Sequence, residues 1–165
     1  MKKLVLTTIV VFFSVCYFGI QAQTTQPQLN QIELLKQLQG NWKCDITKDT
    51  TEFWDGKSYG TGVYADFKYV SKDKIILEGK QLYGYDKKVD KIIFTVLVKG
   101  MDIQMGELRF TTNNICEVIP YSDILKLEKA PYKVEVEFQS ADIMLYKTIV
   151  NNNIIKTVTF VRVKN

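Results

Sequence analysis

Residues 132–138 read Tyr132-Lys133-Val134-Glu135-Val136-Glu137-Phe138, with Tyr, Val, Val and Phe at alternate positions and Lys, Glu and Glu between them. Side chains of an extended strand point to opposite faces in turn, so this run specifies a strand with one face on a core and the other in water. Val63, Ala65, Phe67 and Tyr69 alternate in the same way with Tyr64, Asp66 and Lys68, and Ile75, Leu77, Gly79 and Gln81 alternate with Ile76, Glu78 and Lys80. Further strands are expected over residues 41–47, 91–99, 103–111, 115–121, 143–150 and 154–163. Turn-forming residues separate them at intervals of roughly ten, at Ser71 to Lys74, Tyr85 to Lys88, Gly100 to Asp102, Asn113-Asn114, Ser140 to Asp142 and Asn151 to Asn153. Only Leu29, Ile32, Leu35 and Leu38 recur at helical spacing, giving a short helix that ends near Gly40. Many strands in short connections must hide their edges, and closing the sheet on itself does so most completely. The expected fold is therefore all-β, an antiparallel up-and-down β-barrel of about 8 to 10 strands with a short N-terminal helix.

Composition bounds the chemistry. The 165 residues are 46% hydrophobic and 24% charged, an ordinary globular balance sufficient for one domain. There is no histidine, which removes Ser-His-Asp and Cys-His catalysis and imidazole-ligated metal or haem sites. Gly-rich phosphate loops, Gly-x-Ser-x-Gly elbows and Cys-x-x-Cys pairs are also missing. Glu135 and Glu137 share a strand face, but the apolar residues flanking them mark the other face as the core, so they are read as solvated. The chain is expected to be no enzyme, with no catalytic residues, no cofactor and no metal.

Lys2 and Lys3 precede an apolar stretch from Leu4 to Ile20, and Gln21-Ala22-Gln23 opens a polar run. That is the pattern of a secretory signal peptide, residues 1–22, with cleavage after Ala22. The alternatives are a membrane anchor, weakened by Ser14, Cys16 and Gly19, and a lipoprotein cysteine at Cys16, for which the preceding Val15 is bulky. Residues 23–28 read as a disordered lead-in and 29–165 as the barrel domain. Removing the first 22 of 165 residues leaves 143 and, with Lys2 and Lys3 gone, lowers the formal charge from +4 to +2. The remaining lysines lie beside acids throughout, which argues against nucleic acid or a membrane surface as partner. A secreted or periplasmic location would let Cys44 and Cys116 pair if their Cα atoms came within about 7 Å; otherwise both are buried thiols.

Gly40-Asn41-Trp42, after the short helix and at the head of the first strand, resembles the Gly-x-Trp signature of the lipocalins and the wider calycin superfamily. Arg162 matches the cation that such barrels lay across the tryptophan from their last strand. Gly84-Tyr85-Asp86, followed by a lysine-rich turn, is also similar to the Gly-Tyr-Asp segment of a lipocalin-like family of exported bacterial proteins. Phe94 stands where that family often carries a tryptophan. The resemblance implies that Trp42 plugs the closed end of a barrel, that the Arg162 guanidinium over its face contributes roughly 0.5 to 2 kcal/mol, and that Gly40 serves a tight entry into the strand. It also requires that Trp42 and Arg162 be neighbours.

Such a barrel either packs solid or holds one small ligand. Inward candidates from the alternation are Trp42, Ile46, Val63, Ala65, Phe67, Tyr69, Ile75, Leu77, Tyr132, Val134, Val136 and Phe138. The residues expected to bind a small hydrophobic ligand in the interior and at the mouth are Trp54, Tyr59, Phe67, Tyr69, Leu77, Phe94, Tyr132, Val134 and Phe138. Trp54 to Gly62, rich in glycine and aromatics, reads as a binding loop at the barrel entrance or as a flexible hairpin connection. Glu107 and Arg109 are a ligand anchor if they face inward, and surface residues if Leu108 and Phe110 do. A carrier calls for an internal pocket of roughly 300 Å³ or more; a packed barrel would instead act through its outer surface, as a protein-interaction or inhibitor module of the cell envelope.

Overall fold

The computed structural model describes residues 28–164, so the expected signal peptide and nearly all of the expected lead-in lie outside the described residues. Asn30 caps helix α1 (Gln31–Leu35), its side chain accepting from the Glu33 amide at 3.2 Å, and one 3-10 turn continues to Leu38. The strands are β1 (Gly40–Thr47), β2 (Thr50–Tyr59), β3 (Gly62–Ser71), β4 (Lys74–Asp86), β5 (Lys91–Val98), β6 (Gln104–Phe110), β7 (Ile115–Asp123), β8 (Glu128–Lys129), β9 (Tyr132–Ser140), β10 (Ile143–Val150) and β11 (Asn153–Arg162). All pairings are antiparallel; apart from β1 with β11 they run between barrel strands consecutive in sequence, and β8 only flanks β7. The β6–β7 and β1–β11 pairings close ten of them into an up-and-down barrel.

The strand directions define two ends. The turns at 60–61, 87–90, 111–114 and 141–142 share an end with α1, and those at 48–49, 72–73, 99–103, 124–131 and 151–152 form the other. The helix end is closed. Leu35 and Leu38 are buried there, and the buried Gln31 side chain bonds both backbone groups of Phe110, donating to its carbonyl at 3.1 Å and accepting from its amide at 2.8 Å. A pair of hydrogen bonds to one residue fixes the helix against the wall without leaving a buried polar group unmet.

Trp42 sits opposite Arg162 in the β1–β11 register, as the resemblance requires. The guanidinium carbon lies 4.1 Å from the indole centroid, and the guanidinium donates to the carbonyls of Gln39 (2.6 Å) and Ala141 (2.7 Å). Gly40 has φ +109°, and a Cβ there would stand 2.0 Å from Arg162 Nη1.

Several sequence readings are corrected. Residues 50–59 form a tenth barrel strand, so Trp54 to Gly62 is no entrance loop; only 60–61 turn, and at the closed end. β4 runs on to Asp86, moving the expected turn at Tyr85 to 87–90. A bulge between Tyr69 and Val70 in the β3–β4 register puts Ile75, expected inside, at the surface and 56% exposed. Cys44 and Cys116 are both buried and free, on β1 and β7 with β9, β10 and β11 between them around the wall.

Candidate functional site

Register stacks the inward residues in layers. In register, Trp42, Trp54, Phe67, Gly79 and Val98 stand side by side across β1 to β5. Gly79 is small because the Phe67 ring fills its place: a Cβ there would lie 2.5 Å from the ring. The next layer is Cys44, Glu52, Tyr69 and Leu77, and it opens onto a cavity of about 240 Å³. Leu38 and Trp54 line the cavity from the helix side, while β10 and β11 contribute Met144, Tyr146, Thr148, Lys156, Val158 and Phe160.

The volume is below the roughly 300 Å³ expected of a carrier, yet the barrel is not solid. The space equals that of about eight liquid waters. Its polar groups sit at defined positions. Gln81 Oε1 accepts from Trp54 Nε1 at 3.0 Å and from the Tyr83 hydroxyl at 2.6 Å. Glu52 is 9% exposed and lies beside the Tyr69 hydroxyl. Burial pushes the Glu52 carboxyl above the usual carboxylate range, with Tyr69 and the more distant Lys156 ammonium pulling it partly back. Burial also pushes the phenols of Tyr69, Tyr83 and Tyr146 up, so they stay neutral donors at physiological pH.

The expected binding residues divide. Trp54 and Tyr69 line the cavity, and Phe67 packs edge-on against Tyr69 with centroids 6.3 Å apart. Leu77 and Val134 are partly buried against the core. Phe94 is core, tilted over Tyr83 at 6.1 Å, and Phe138 is core at the closed end, stacked on Phe110 at 6.2 Å. Tyr59 is 70% exposed beside Tyr64 on the outside of the wall, and Tyr132, on the inward face but at the last turn of the open end, is 41% exposed. Neither lines the cavity. Leu108 and Phe110 face in, while Glu107 lies on the outer face, 7% exposed, held by Lys91 at 2.5 Å and Lys129 at 2.6 Å. Burial raises its pKa, but the two ammonium groups outweigh that and hold it below the usual range. Arg109 pairs instead with Asp90.

Glu52 was missed from the sequence. Its signal is the alternation Glu52, Trp54, Gly56 against Phe53, Asp55, Lys57, weak because one inward residue is charged and one has no side chain. A larger concavity, about 810 Å³, crosses the outer face of β1 to β5, where Phe53, Leu97 and Val163 sit among Asp55, Asp66, Lys68, Glu78, Lys80 and Lys99. Compared with known proteins, the chain matches no protein-family model and no curated protein sequence. The fold and the Trp42–Arg162 contact are thus compatible with a calycin-like barrel on geometry alone.

Proposed function

We propose that this chain is an exported, non-catalytic, lipocalin-like protein that holds one small ligand in the interior of its barrel. The observation that carries the reading is the cavity itself. A barrel wall of this size can be filled entirely by side chains, yet this one keeps about 240 Å³ at the Glu52–Tyr69 layer, lined by apolar and polar groups in similar measure. The signal-peptide pattern in residues 1–22 supports export, and the guanidinium over Trp42 supports the lipocalin-like assignment. The ligand that fits this space is compact, with both an apolar body and a polar group.

Native mass spectrometry of the protein purified from its own host, followed by denaturing extraction, tests this. One small molecule released per chain is the expected result. An empty protein that also fails to bind small aromatic probes would overturn it. The outer concavity of about 810 Å³, with apolar residues between acids and lysines, favours a second reading in which the outer wall of β1 to β5 binds another protein. Charge reversal at Lys68 and Lys80 would then abolish partner capture and leave interior binding untouched.

A further inference from the structure

Resting on the interior-binding reading, we infer that the ligand is a small organic cation, an amine on a compact aromatic or apolar body, with Glu52 as its counter-ion. Two carboxylates are buried among the described residues, and they are housed in opposite ways. Glu107, on the outer face, is gripped by two lysines at 2.5 and 2.6 Å. Glu52, in the cavity, belongs to none of the ion pairs seen among the described residues; its close neighbour is the neutral Tyr69 phenol. A carboxylate removed from water without a cation is costly, and nothing in the packing of β2 requires one. A ligand ammonium would supply the missing charge.

The walls agree with that sign. Trp54, Tyr69, Tyr146 and Phe160 surround the same space, with the Tyr146 and Phe160 rings 5.2 Å apart. Aromatic faces carry negative potential and attract cations, most strongly where water is excluded. The Trp54 indole N–H, a lining donor that would otherwise welcome an anion, is already taken by Gln81 Oε1. One group opposes a cation: Lys156, exposed on β11 at the mouth, whose charge reaches Glu52 without forming an ion pair. It therefore gives the test a variant of opposite sign.

The experiment is calorimetric titration of the protein produced from the full chain with three probes of one shape: 2-phenylethylamine, 2-phenylethanol and phenylacetate. The amine is expected to bind about tenfold or more tightly than the alcohol, with the acid weakest. Glu52→Gln should bring the amine to within about threefold of the alcohol, while Lys156→Gln should tighten the amine about threefold. The Lys156 variant alters an exposed side chain, so it reads the site even if the Glu52 variant fails to fold. Equal binding of amine and alcohol, or preference for the acid, overturns the cation and leaves the interior site standing. No binding of any probe at about 10 mM overturns both.

Discussion

Gly40 and Glu52 are the two residues whose identities the fold and the cavity press hardest. At Gly40 the backbone at φ +109° suits glycine, and the Arg162 guanidinium fills the space a Cβ would need. Gly40→Ala is expected to lose about 3 kcal/mol of stability in urea titrations. The double variant Gly40→Ala, Arg162→Ala should lose less than the sum of the two singles, because removing the guanidinium leaves only the backbone strain; strict additivity would show that the two residues do not share the space. Glu52 works the other way. Its folded carboxyl holds a proton more tightly than an unfolded one, so its contribution is most favourable below the ordinary carboxylate pKa and is lost as pH rises through that value to the raised folded one. Glu52→Gln should therefore melt about 3 °C higher than the parent near pH 7, and the gap should close by about pH 4. A variant less stable at neutral pH would mean that Glu52 is a structural anchor.

The elements were legible where the alternation was clean and obscure where a functional or geometric need broke it. β3 and β9 read directly from Val63, Ala65 and Phe67 and from Val134, Val136 and Phe138, all of which face in. β2 did not, since Glu52 and Gly56 occupy inward positions; the strand that carries the candidate ligand group is the one the hydrophobic pattern hid. Bulges hid two more positions, next to Tyr69 and Thr148, each placing an Ile-Ile pair, Ile75-Ile76 and Ile154-Ile155, at the surface of the open end. The hairpin tips beside these bulges are also informative. Asn151-Asn152 and Lys72-Asp73 both have two successive left-handed residues, the pattern of a two-residue turn that follows strand twist. Asparagine adopts that conformation at lower cost than lysine. Replacing Lys72-Asp73 by Asn-Gly is thus expected to stabilise the barrel by about 0.5 to 1 kcal/mol, raising the melting temperature by about 3 °C. No change would mean that the β3–β4 tip is already relaxed by its neighbours at the open end.

At the scale of the whole molecule, closure couples each of the ten barrel strands to a barrel neighbour on either side, leaving the wall without an open edge from which to peel. The two buried cysteines report on that coupling from separated places in the wall. Burial pushes the Cys44 thiol up to about 11, with Glu52 and Asp45 adding to the shift, and burial pushes Cys116 up as well. Thiolate is the reactive form, so at about pH 8 neither should react while the barrel is closed. Cys44 lies beside the β1–β11 seam and Cys116 beside the β6–β7 seam, the two pairings that close the cylinder. If the barrel opens as one unit, iodoacetamide followed by peptide mapping should find both labelled at one common slow rate, which rises together with added urea. Faster labelling of Cys44 would place the weak seam between first and last strands, where Trp42–Arg162 and Lys43–Val161 pair in register. Equal rates would instead show that the indole–guanidinium contact holds that short seam as firmly as the rest of the wall.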